Sequence, residues 1–142
     1  MNRIETTILR NLITNENYMR KVVPFLKTEY FSSTDAIVYD QIKTFIDKYN
    51  TCPTVESLVV SLQNDKSVNE QDYKEAAELV QQFVPVDINT DWLFEETERF
   101  CKDKAVYNAI IKSIGIIDGN DKQYTKDGIP SLLQEALGAV SY

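Results

Sequence analysis

Asp91-Trp-Leu-Phe-Glu-Glu-Thr-Glu-Arg-Phe-Cys-Lys-Asp-Lys-Ala-Val-Tyr-Asn-Ala-Ile-Ile-Lys-Ser-Ile-Gly-Ile-Ile-Asp118 reads as one uninterrupted helix. At ~1.5 Å per residue it would be about 42 Å long, whereas a compact globule of this chain length has a radius of gyration of about 14 to 15 Å. Much of such a helix must project from the body that carries it.

Its apolar residues fall on two sides. At ~100° per residue, Phe100, Tyr107, Ile110, Ile111, Ile114 and Ile117 form one broad arc with Leu93 on the same line at the base. Phe94, Cys101, Ala105, Ala109 and Ile116 lie roughly opposite. A projecting helix covers one stripe with its own chain, and a second apolar stripe marks an interaction surface. The competing expectation is a helix apolar all round because it is buried in a bundle, but few helices remain to surround it.

Around this rod the chain is acidic, with 15 Lys and Arg against 22 Asp and Glu for a net charge of −7. Phosphate backbones repel such a body, so little direct DNA binding is expected of it. Histidine is absent and Cys52 and Cys101 stand far apart, which argues against zinc sites and histidine-based triads. Both cysteines are expected to be reduced and the chain cytoplasmic, since no signal peptide precedes the first amphipathic helix. Lys112 and Ser113 interrupt the richest apolar run, so no membrane span is expected.

The pattern predicts an all-α chain, a five-helix head over 1–84 and an antiparallel two-helix hairpin arm over 85–142. Ile4, Ile8, Leu9, Leu12 and Ile13 share one side of a first helix ending near Thr14. A short second helix runs from Tyr18 to Val23 and is closed by Pro24. Ser32, Ser33 and Thr34 offer cap oxygens for a third, whose core face is Val38, Ile42, Phe45, Ile46 and Tyr49. Thr54 and Asn69 can cap a fourth helix bearing Val55, Leu58, Val59 and Leu62 and a fifth bearing Tyr73, Ala76, Val80 and Phe83. Asn89-Thr-Asp91 starts the rod and Asp118-Gly-Asn stops it. Pro130 opens a last helix with Leu132, Leu133, Ala136, Leu137 and Val140 on one face, able to fold back along the rod.

Chemical motifs are sparse. The four glycines nowhere form the G-x-x-x-x-G-K-[ST] phosphate loop, so no catalysis is expected of these residues. Asp118 to Ile129 fails as a calcium loop, with Lys122, Gln123 and Ile129 at positions that require other residues. No catalytic, cofactor or metal residues are assigned. The acidic cluster Asp91, Glu95, Glu96 and Glu98 suits the positive end of the helix dipole. Trp92 is expected to pack into the core and lock the arm to the head.

In order and spacing, Ile8-Leu9-x-x-Leu12-Ile13, Tyr18-x-x-Lys21-Val22-x-Pro24, Glu29-Tyr30-Phe31-x-Ser33, Pro53-Thr54, Asp91-Trp92-Leu93-x-Glu95-x-Thr97-Glu98, Asn108-Ala109 and Ile129-Pro130 resemble the N-terminal domain of the replicative helicase of T-even-type bacteriophages, a DnaB-like hexameric helicase. The resemblance implies a helical head and hairpin whose arms pair between subunits into dimers, part of a hexamer when full length. It further implies a collar that docks primase, with a helicase loader as a further partner. ATP and Mg, and the phosphate loop that uses them, belong in that family to an ATPase domain after the matched region. The chain is thus expected to be part of an ATP-dependent helicase of the primosome, in the bacterial host cytoplasm. The alternative is a stand-alone adaptor such as a helicase loader or inhibitor. Leu93, Phe100, Tyr107, Ile110, Ile111, Ile114 and Ile117, with Leu133 and Leu137, are the residues expected at the hairpin seam and subunit contact.

Overall fold

Side-chain caps decide where four of the helices begin. Asn15 Oδ1 accepts from the Tyr18 N–H at 3.1 Å, Thr54 Oγ1 from Ser57 at 3.0 Å, Asn69 Oδ1 from Asp72 at 2.8 Å and Asn89 Oδ1 from Trp92 at 2.9 Å. Each satisfies a first-turn amide that has no partner within its helix. At Thr54 the Ser57 hydroxyl accepts the Thr54 N–H in return, closing a capping box.

The computed structural model describes residues 3–140, and these are all-helical. The order is α1 (Ile4–Thr14), α2 (Glu16–Val22), α3 (Ser33–Tyr49), α4 (Val55–Asn64), α5 (Glu70–Val80), α6 (Thr90–Ile117) and α7 (Ile129–Leu137). Short 3-10 turns lie at Val23–Phe25, Thr28–Tyr30 and Lys126–Gly128. There is no strand among the described residues.

Helices α1 to α5 enclose one core built on Ile8, Leu9, Leu12, Tyr18, Met19, Val38, Ile42, Leu58, Leu62 and Val80. Burying a side chain of this kind contributes about 1.5 to 3 kcal/mol. Helix α6 is shared between this head and the arm. Its first part brings Leu93, Phe100 and Cys101 into the head core, where Phe31 stacks on Tyr39 at 4.9 Å and meets Phe100 at 5.3 Å. Farther along, the main partner of α6 is α7, which folds back so that Val140 rejoins the head core.

The rod is a single helix of 28 residues. Its end is a Schellman turn. Gly119 takes φ +77°, its N–H donates to the Ile116 carbonyl at 3.1 Å, and the Asn120 N–H donates to Gly115 at 2.8 Å. Asp121 Oδ1 then accepts from Gln123 and Tyr124 N–H groups, a local turn.

Three expectations are corrected. No side chain of Ser32, Ser33 or Thr34 caps α3. The Ser32 carbonyl accepts from the Asp35 N–H at 3.1 Å, and the Thr34 hydroxyl reaches Glu75 instead. Tyr49 is exposed, because α3 ends there and Asn50, at φ 56°, turns the chain away. The Tyr49 ring rests on Phe45 at 4.7 Å. Trp92 is 45% exposed and does not lock the arm to the head. The face of α6 that meets the head runs through Leu93, Thr97, Phe100 and Cys101, and this registry turns Trp92 outward.

Candidate interaction surface of the arm

The distal half of α6 has one covered side. Ala109 and Ile116 are buried, as is Ser113, whose hydroxyl donates to the Ala109 carbonyl at 2.7 Å. This is the side opposite the isoleucines. Small residues at 105 and 109 let α7 approach, and Ala105, Ala109, Leu132, Ala136 and Ala139 line a shared cleft of about 210 Å³. At the root, the Asn108 side-chain amide donates to the Glu29 carbonyl at 3.1 Å and ties the arm to the head.

The other side is open. Tyr107, Ile110, Ile111, Ile114 and Ile117 are between 46% and 61% exposed. Tyr107, Ile110, Ile114 and Ile117 follow one another at intervals of three, four and three residues, which is the a/d spacing of a coiled-coil seam. Leu133 and Leu137, one turn apart on α7, are also exposed. At the seam's base, Ile4, Phe100 and Tyr107 line a shallow notch of about 350 Å³ with Glu5, Asp103 and Lys104.

The nine residues expected at the seam and subunit contact thus fall into two groups. Leu93 and Phe100 lie in the head core. Tyr107, Ile110, Ile111, Ile114, Ile117, Leu133 and Leu137 are exposed large hydrophobics on the arm. Within the chain, Ala105 and Ala109 face α7 across the cleft, and Ser113 and Ile116 are buried farther along the same side of α6. Leu93 and Ile111 share an angular line on α6, so axial position, which periodicity does not encode, separates core from surface.

Reactive groups are scarce on this surface. Cys52 and Cys101 are both free. Burial pushes the Cys101 thiol up to about 12, and Cys52 is raised by burial and by nearby Glu16. Glu96 pairs with Arg99 at 3.2 Å and Glu98 with Lys102 at 2.8 Å along α6. No His, Cys, Asp and Glu group among the described residues could hold a metal ion. No helix among them is long and apolar enough to cross a membrane.

The described residues thus form an all-helical head carrying a hairpin whose outer side is uncovered. No protein-family model matches the chain. Over 139 residues it is 30% identical to a DnaB-like replicative helicase of Enterobacteria phage T4, a match that takes in 92% of this chain and 29% of that protein. The chain therefore spans less than a third of the length of the curated relative it matches. This similarity bears out the resemblance read from the sequence.

Proposed function

We propose that the chain is the non-catalytic collar domain of a phage-type replicative DNA helicase, assembling subunits through its arm and docking primase during DNA replication. The observation that carries this reading is the exposed seam from Tyr107 to Ile117. Its side chains present on the order of 500 Å² of apolar surface, a size at which patches tend to be functional. Similarity to a DnaB-like replicative helicase supports the replication context, and in this reading the seam is covered by the same seam of a second arm. ATP and Mg binding, and strand separation, would fall to the part of such a protein outside this chain.

Two seams brought together would bury about 1,000 Å², the lower end for a specific protein–protein contact. Pairing of this chain alone is therefore expected to be weak, and stronger where a ring supplies further contacts. The test is the solution mass as a function of concentration, by light scattering or sedimentation equilibrium. A rise from 16.3 kDa toward twice that value is expected. A mass that stays at the monomer up to millimolar concentration would overturn arm pairing. Primase docking is checked by titrating the cognate primase against the chain.

A further inference from the structure

The net charge of this chain is concentrated in one segment. Residues 75–98 hold Glu75, Glu78, Asp87, Asp91, Glu95, Glu96 and Glu98 and no lysine or arginine, while the rest of the chain carries fifteen residues of each sign and balances to zero. The segment covers the end of α5, the connection to α6 and its first two turns. It also holds three exposed large hydrophobic residues, Val84, Val86 and Trp92. Helix-dipole compensation accounts for Asp91 in the first turn of α6. It does not account for Glu78, in the last turn of α5 where negative charge is disfavoured, or for Glu75 at the middle of that helix.

Trp92, Glu95, Glu96 and Arg99 follow at i, i+3, i+4 and i+7 and share one outward face of α6. Arg99 is engaged by Glu96 at 3.2 Å, and the positions one turn on from the indole along α6 are both acids, Glu95 and Glu96. An exposed tryptophan is a common energetic anchor at protein interfaces, and a rim of one charge selects a partner of the other and speeds its encounter. This patch lies on the same side of α6 as the isoleucine seam and is separated from it along the axis by the charged turns from Glu95 to Lys104.

We infer that the root of α6, anchored on Trp92 and rimmed by acidic residues, is a docking site for a basic amphipathic segment of another protein. The segment would lay an apolar side chain on the indole and set lysines or arginines against Asp87, Asp91 and Glu95. Nothing in this assignment depends on the arms pairing.

Trp92 is the one tryptophan of the chain, so its emission reports contact directly. Titration of the full chain with a helical Leu/Lys peptide is expected to shift that emission to the blue and to saturate, with binding that weakens as salt rises. A Leu/Glu peptide of equal length should do neither. With a labelled peptide followed by anisotropy, Trp92→Ala is expected to weaken binding about tenfold, and the pair Asp87→Lys with Glu95→Lys by a similar factor and to flatten the salt dependence. Ile114→Asp should leave it unchanged. Circular dichroism of each variant confirms that these exposed substitutions keep the fold. Peptide binding that leaves the emission unshifted, or that is lost in Ile114→Asp and retained in Trp92→Ala, overturns the assignment.

Discussion

The hydroxyls of Tyr18 and Thr97, 79 positions apart in the chain, meet at 2.6 Å inside the core. The Thr97 hydroxyl donates to the Leu93 carbonyl at 2.7 Å, so Tyr18 is the donor to Thr97. This bond joins α2 to α6 and fixes the rotation at which the rod leaves the head. Tyr18→Phe is expected to lower stability by about 0.5 to 1.5 kcal/mol. Thr97→Val should cost at least as much, because it removes the acceptor of a buried hydroxyl. Urea denaturation of the single and double variants checks this, and the double should lose less than the two singles together.

Ile111 and Ile114 are half exposed on the arm, so an aspartate there meets water in the monomer. Ile111→Asp or Ile114→Asp is expected to change thermal stability at low concentration only slightly, by about 0.5 kcal/mol or less. Either should weaken self-association at least tenfold, because a carboxylate would be desolvated in the seam. Ala109→Asp serves as the contrast. It strikes the covered side, and loss of helix and of stability is expected even in dilute protein.

Gly119 closes α6 at φ +77° with open space where a side-chain Cβ would sit. Gly119→Ala therefore clashes with nothing, and its cost comes from backbone conformation alone, about 1 kcal/mol. The loss should be local, seen as faster amide exchange at Asp118 to Asn120 with little change in the head.

Burial raises Cys101 from 9.0 to about 12 and also raises Tyr39 and Tyr30. In the unfolded chain the thiol loses its proton near its ordinary value, while in the folded chain it keeps it. The unfolded state therefore binds fewer protons between pH 9 and about 12, and stability falls with rising pH across that window. Below pH 9 the thiol causes no such dependence. Cys101→Ala should flatten the alkaline limb in pH-dependent urea melts, at the expense of some packing. A disulfide reagent at pH 8 is expected to modify Cys101 only after denaturation, with Cys52 reacting first.

Helix borders were legible in the sequence because caps are local. Asn69, Thr54 and Asn89 each bond an amide three residues away, and Gly119 and Pro130 act through their own backbone geometry. The third helix shows the limit of that logic, since three candidate hydroxyls stand at its start and none caps it. Trp92 shows another. Its neighbour Leu93 is fully buried, and a one-residue step on a helix reverses burial once the rotation against a second body is set. That rotation belongs to Tyr18, Phe31 and Phe100, which come from distant parts of the chain.

By itself, then, the chain determined that it is helical, that one helix outruns the body, and that this helix is greasy on two sides. These properties depend on composition and on spacing along one element. Only the tertiary structure decided which side α7 covers, where the head ends along α6, and that Leu93 and Phe100 belong to the core while Ile110, Ile111, Ile114 and Ile117 stand in the open. The physical reason is that periodicity reports angle about a helix axis. Burial also depends on position along that axis and on what the rest of the chain brings there.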